Sequence, residues 1–150
     1  TATTTGGVTA VMPVATRAGA LNVREFIKDP DVVSVYSPRS DTQYYALGSL
    51  PYTELVATTT ASTTKTALEQ GYEMLYFPSE KSFSIVLLKE PIAETRLKMQ
   101  SDLEYRLGLT DSDLCTLIAD VYVAKSANKF YGNKKVGFSH CPGSTTLPGD

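Results

Sequence analysis

A chain of 150 residues with 42 % hydrophobic residues and a net charge of −2 is long enough to bury a core and too apolar to be disordered throughout. Its 14 Lys and Arg are scattered among 16 Asp and Glu, which leaves no basic stripe for a phosphate backbone and excludes nucleic acid as the expected partner. No apolar run approaches the ~18 residues that cross a bilayer, and no cationic stretch leads into an apolar segment, although a chain that begins at Thr1 and not at Met is expected to have lost a signal or anchor segment.

Thr1 to Gly7 is small and polar and reads as a linker or frayed terminus, because it offers too little to bury against its ordering entropy. Residues 8–150 are then expected to form a single domain. Val8 to Val14 alternates weakly, and Pro13 confines any strand there to an edge. Asn22 is placed to cap a short helix over Val23–Lys28, with Glu25 at its third position. Asp29-Pro30-Asp31 breaks it.

Val32 to Tyr36 is β-branched and aromatic, and Thr42 to Leu47 is a second strand-like run. The polar cluster from Ser37 to Asp41 joins them as a hairpin. Residues 56–66 are rich in threonine and read equally as an edge strand or an exposed loop. Tyr72–Phe77 and Ser82–Leu88 flank the four-residue turn Pro78–Lys81 and form the clearest hairpin. Phe83, Ile85 and Leu87 share one face of its second strand.

From Pro91 to Leu107, the apolar residues Ile92, Met99, Leu103 and Leu107 recur at helical spacing. Pro91 suits the first helical position and Gly108 the left-handed residue past the end. The pairs Glu94/Lys98 and Asp102/Arg106 predict a solvated outer face with weak ion pairs. Thr110, followed by Asp111 and Asp113, caps a second, short helix. Ile118–Val123 alternates like a strand, and the tail from Lys125 to Asp150 is a long loop or short edge hairpin anchored by Phe130, Tyr131, Val136 and Phe138. The fold class that follows is α+β: an antiparallel sheet of about four to six strands packed on one main helix, about 91–107.

The only cysteines are Cys115 and Cys141. Bridged, they close a loop worth roughly 3–4 kcal/mol in the chain-entropy model and tether the tail. A bridge implies an oxidising compartment; the alternative is two unrelated thiols in a reducing one. With a single histidine, His140, most zinc sites are out of reach. A site from Cys115, His140 and Cys141 lacks a fourth ligand, and adjacent residues are awkwardly directed toward one ion. Asp111-Ser112-Asp113 lacks the glycine and distal glutamate of a calcium loop. Neither a phosphate-binding glycine loop nor a serine-nucleophile elbow occurs. No metal and no cofactor is therefore expected.

Among nine tyrosines, Tyr44, Tyr45, Tyr52 and Tyr131 are the expected interaction surface, since a tyrosine buries its ring while its hydroxyl meets water. Half-burial in the sheet is the competing account. The functional expectation is a non-enzymatic, extracytoplasmic module, secreted, periplasmic or anchored as an ectodomain, that contacts a protein or glycan. A small hydrolase using carboxylates or a Cys115/His140 pair is the first alternative. A subunit of a surface filament or assembly is the second, with the oligomeric state left open.

Overall fold

Phe83, Ile85 and Leu87 alternate with Ser82, Ser84 and Val86, and the strand they form sits between two others with the three apolar side chains buried. The computed structural model describes residues 4–5, 8–51 and 65–150. In chain order its elements are β1 (Thr4–Thr5), β2 (Val8–Thr9), β3 (Val11–Thr16), β4 (Gly19–Arg24), a 3-10 turn (Phe26–Lys28), β5 (Val32–Ser37), β6 (Thr42–Leu47), α1 (Ala67–Gln70), β7 (Tyr72–Phe77), β8 (Ser82–Leu87), α2 (Ile92–Leu107), α3 (Asp111–Leu114) and β9 (Ala119–Val123). The fold is α+β.

The main sheet has five strands in the order β5-β6-β7-β8-β9. Its first four strands are antiparallel, as expected. β9 is instead parallel to β8, with Phe83 opposite Ala119 and Leu87 opposite Val123, so the sheet is mixed. The cause lies in the connection: α2 carries the chain back across one face, and the next strand enters from the same end as β8. Ile92, Met99, Leu103 and Leu107 are all buried against that face. Pro91 stands one residue earlier than expected, as the extended residue before the helix, and Gly108 adopts the left-handed conformation with its N–H on the Glu104 carbonyl.

The helix expected over Val23–Lys28 is not formed. Val23 pairs with Met12 in the β3–β4 hairpin, and only Phe26–Lys28 turns helically. Val14 and Val23, opposite-strand residues of this ribbon, are buried in the core, so burial of alternate residues outweighs the capping signal at Asn22. The hairpin is docked through Ala15, whose N–H reaches Lys81 O at 2.9 Å and whose carbonyl accepts from Ile118 N at 3.1 Å. Phe26 is enclosed, its ring edge-on to Tyr76 with 5.0 Å between centroids.

Residues 56–64 of the threonine-rich stretch lie outside the described residues. Thr66, at its end, caps α1 in a reciprocal capping box with Glu69. The tail after β9 has no helix or long strand, yet it is ordered backbone to backbone: Val136 N bonds Val121 O and Asn133 N bonds Val123 O, both at 2.8 Å. It thereby covers the open edge of β9. Val136 and Phe138 are buried anchors as expected, with Leu147 as a further one. Phe130 is not an anchor, being 70 % exposed; it lies edge-on to Tyr131 and under the Lys134 ammonium, a contact that needs no core.

Candidate functional site

Arg96, Gln100 and Glu104 follow one another at steps of four along α2, so they stack on a single line of the helix surface. That line lies under the C-terminal segment. Arg96 is 1 % exposed. Its Nη1 donates to the carbonyls of Val136, Gly137 and Thr145 at 3.2, 3.3 and 3.0 Å, and its Nη2 meets Asp150 at 2.6 Å. Asp150 also accepts the Leu147 N–H. Burial pulls the Arg96 guanidinium down from its ordinary value, and Asp150 opposes that. One turn on, Gln100 grips Ser139 from both ends: Oε1 accepts the Ser139 N–H at 2.6 Å, and Nε2 donates to Ser139 Oγ at 3.0 Å.

Glu104 ends the line. Its Oε2 is buried and has no hydrogen-bond partner among the described residues. The Asp111 carboxyl lies beside it, and two carboxylates can share a hydrogen bond only through a proton. Burial first, then that shared proton and the charge of Asp111, push Glu104 up to about 7, with the nearby His140 acting the other way. His140 Nε2 is 2.7 Å from the Asp111 carbonyl oxygen. Glu104, Asp111 and His140 thus gather from α2, from the start of α3 and from the tail.

The expected Cys115–Cys141 bridge is formed, with Cα atoms 5.5 Å apart and the cysteines separated by 26 positions in sequence. It stands next to His140. The bridge consumes the thiol that a Cys115/His140 pair requires, so that pair is no nucleophile in this state. On the far side of His140, a cavity of about 350 Å³ is lined by Leu97, Ser139, His140, Ser144, Thr146 and Asp150. Leu97 is 53 % exposed beside it.

The tyrosines do not converge. Tyr44 and Tyr45 are consecutive on β6 and face opposite sides: Tyr44 is buried beside Phe77, while Tyr45 leans on the main core near Tyr76. Tyr131 is half-buried in the tail, and Tyr52 lies outside the described residues. The aromatic rings are spread over separate parts of the fold.

The other end of α2 is a cluster of paired charges. Arg106 is not on a solvated face as its pairing with Asp102 suggested. Its side chain is 10 % exposed and donates to Asp31 at 2.9 and 2.6 Å and to Asp102 at 2.9 Å. Arg24 pairs with Asp29 and donates to the Arg106 carbonyl at 2.8 Å. The Tyr72 hydroxyl donates to Asp102 at 2.7 Å, and burial together with that carboxylate raises its ionisation well above the ordinary range. Arg106 in turn holds Asp31 below its usual value. Gly48 lets the Arg106 guanidinium approach: at φ +80 it has no Cβ, and one placed there would lie 2.6 Å from Arg106 Nη2 and from Gln70 Oε1. Only Glu94–Lys98 behaves as the expected exposed pair.

The line Arg96/Gln100/Glu104 was not singled out by sequence, yet a signal existed. Arg96 falls four after Ile92 and three before Met99, inside the apolar stripe, where a long polar side chain needs an internal partner. No protein-family model matches the chain, and comparison with curated proteins and with solved structures finds no match.

Proposed function

We propose that this chain is a non-enzymatic, extracytoplasmic module that presents its C-terminal segment to a protein or glycan partner. The observation that carries the reading is the bridge from Cys115 to Cys141, a bond that persists in oxidising compartments. It supports the reading together with Arg96 and Gln100, which hold the C-terminal segment in one conformation by six hydrogen bonds. An irregular segment fixed on a rigid helix suits recognition, because little entropy remains to be lost on binding. The cavity beside Leu97, with Ser139, Ser144, Thr146 and Asp150 in its wall, sets several polar groups around one apolar side chain, and such convergent polar groups are what fix a ligand's orientation. No helix among the described residues is long and apolar enough to cross a membrane.

The test is a panel of immobilised glycans and displayed peptides probed with the wild type and with Leu97→Asp and Ser144→Arg, each checked for fold by circular dichroism. Saturable binding that either substitution lowers at least tenfold is expected. Binding indifferent to both would remove the cavity from the reading. A second reading, a hydrolase working through carboxylates, is favoured by one observation: Glu104, with its carboxyl raised to about 7 beside Asp111, matches what a general acid needs near neutral pH. Turnover of ester, glycoside or phosphate substrates that Glu104→Gln abolishes would replace the binding module with that enzyme.

A further inference from the structure

Glu104, Asp111 and His140 each bring one ligating atom, two carboxylate oxygens and a ring nitrogen, and all three atoms lie within 4.8 Å of one another. We propose that this trio binds a divalent transition cation of the zinc class and clips the C-terminal segment to α2 and α3. The inference goes beyond the binding-module reading and does not depend on it.

The donor set selects the ion. Two carboxylates and an imidazole suit Zn²⁺ and its first-row neighbours, whereas Ca²⁺ asks for six to eight oxygens and Mg²⁺ for a largely hydrated octahedron. Ligand atoms of a tetrahedral site with bonds of about 2.1 Å stand about 3.4 Å apart, so movements of about 1 Å close the trio, and Asp111 and His140 are exposed side chains free to make them.

One feature of the site points to a bound cation beyond the clustering, and a second is compatible with it. Glu104 Oε2 is buried with no N–H donor among the described residues, and its carboxyl meets that of Asp111; two carboxylates in contact need a proton or a cation between them, and a cation fills that place when the proton is lost. The histidine has one ring nitrogen committed and the lone pair of the other available. The Asp111 carbonyl can only accept, so His140 Nε2 carries the proton of their 2.7 Å bond, and Nδ1 keeps its lone pair. Fixing one ring nitrogen on a carbonyl is the usual way to present the other to a metal. Gln100 Nε2 lies 3.5 Å from Nδ1, at the limit of a hydrogen bond, and makes its shorter contact to Ser139. A cation at Nδ1 displaces little.

The neighbouring sulfurs take no part. Cys115 and Cys141 also have their sulfurs within 4.8 Å of a His140 ring nitrogen, but as a disulfide they are not thiolates and serve only to fix the residue next to Cys141. Because Asp111 and His140 face solvent, water completes the coordination and the ion has an entry path.

The experiment is a calorimetric titration of Zn²⁺ into the oxidised protein without reductant, at about pH 7.5, where imidazole is mostly neutral. One equivalent binds in the wild type. Glu104→Gln, Asp111→Asn and His140→Ala each weaken it at least tenfold, and Glu94→Gln, on the exposed side of α2, leaves it unchanged. Co²⁺ in place of Zn²⁺ gives visible ligand-field bands that Glu104→Gln removes. The Asp111 and His140 substitutions alter exposed side chains, so they report on the site even if the Glu104 variant misfolds. Absence of saturable binding overturns the proposal, as does an affinity that the Asp111 and His140 variants share with the wild type.

Discussion

The two ends of α2 each bury an arginine, and they use it differently. Arg106 meets carboxylates: Asp31 and Asp102 directly, with Asp29 4.0 Å away and shared with Arg24. These residues come from β4, the loop between the 3-10 turn and β5, and α2 itself, and Tyr72 of β7 joins through Asp102. Arg96 meets three backbone carbonyls and one carboxylate, all of them in the tail. The first arrangement joins elements that already share a core. The second holds a segment with few apolar anchors of its own. Charge balance therefore dominates at one end and backbone satisfaction at the other, and the two ends are expected to fail in different ways.

The largest effect is expected at the charged end. Arg106→Met removes the cation between Asp31 and Asp102 and leaves the Asp102 carboxylate partly buried and unbalanced, which costs about 4 kcal/mol, while Asp29 keeps Arg24. Equilibrium urea unfolding should show the loss as a drop in the midpoint of the whole domain. A change confined to the tail would mean that the cluster is not part of the global fold.

The covalent link comes next. Replacing both cysteines, Cys115→Ser with Cys141→Ser, frees a loop whose ends are 26 positions apart, worth ~3.5 kcal/mol in the chain-entropy model. The same variant sharpens the comparison when amide exchange is followed: the tail residues Val136, Ser139 and Thr145, whose N–H groups bond Val121 O, Gln100 Oε1 and Val136 O, should lose protection before Met74 or Ile85 in the sheet. Uniform loss of protection would contradict a tail held separately from the core.

Arg96→Met should be milder, about 2 kcal/mol, because the carbonyls of Val136, Gly137 and Thr145 lose their donor while Asp150, 20 % exposed, can turn to water. Its signature is local: faster exchange in the tail with little change in the sheet. If Arg96→Met and Arg106→Met lowered the urea midpoint equally and exposed the same amides, the distinction between the two ends would collapse.

Periodicity made the apolar architecture legible. The alternation in β8 and the stripe on α2 placed Phe83, Ile85, Leu87, Met99 and Leu103 in the core correctly, and the two cysteines permitted one bridge. The β3–β4 hairpin was not legible, because its turn reads Arg17-Ala18 before Gly19 and lacks the Asn-Gly or Asp-Gly signal. Arg106 looked like half of a surface pair because spacing along a helix cannot show that Asp31, far away in sequence, folds onto it. Glu104, Asp111 and His140 were equally hidden. Three elements bring them together, and local pattern carries no information about such a meeting.

The smallest expected effect is a pH dependence at the end of the polar line on α2. Glu104 is raised from 4.5 to about 7 in the folded chain, so the folded state holds its proton more tightly than the unfolded one. Stability from this group is then fully present below the ordinary carboxyl value and is lost as pH rises through about 7. Glu104→Gln cannot titrate and keeps a hydrogen-bonding group beside the Asp111 carboxylate. Urea midpoints measured with a chelator present, so that no cation competes, should therefore show the wild type declining relative to the variant between about pH 4.5 and pH 8. His140, which opposes the shift, ties the effect to the tail: His140→Ala should enlarge the decline by removing the one nearby group that favours the Glu104 anion. A wild-type-to-variant difference that stays constant across this range would mean that no proton is shared between Glu104 and Asp111.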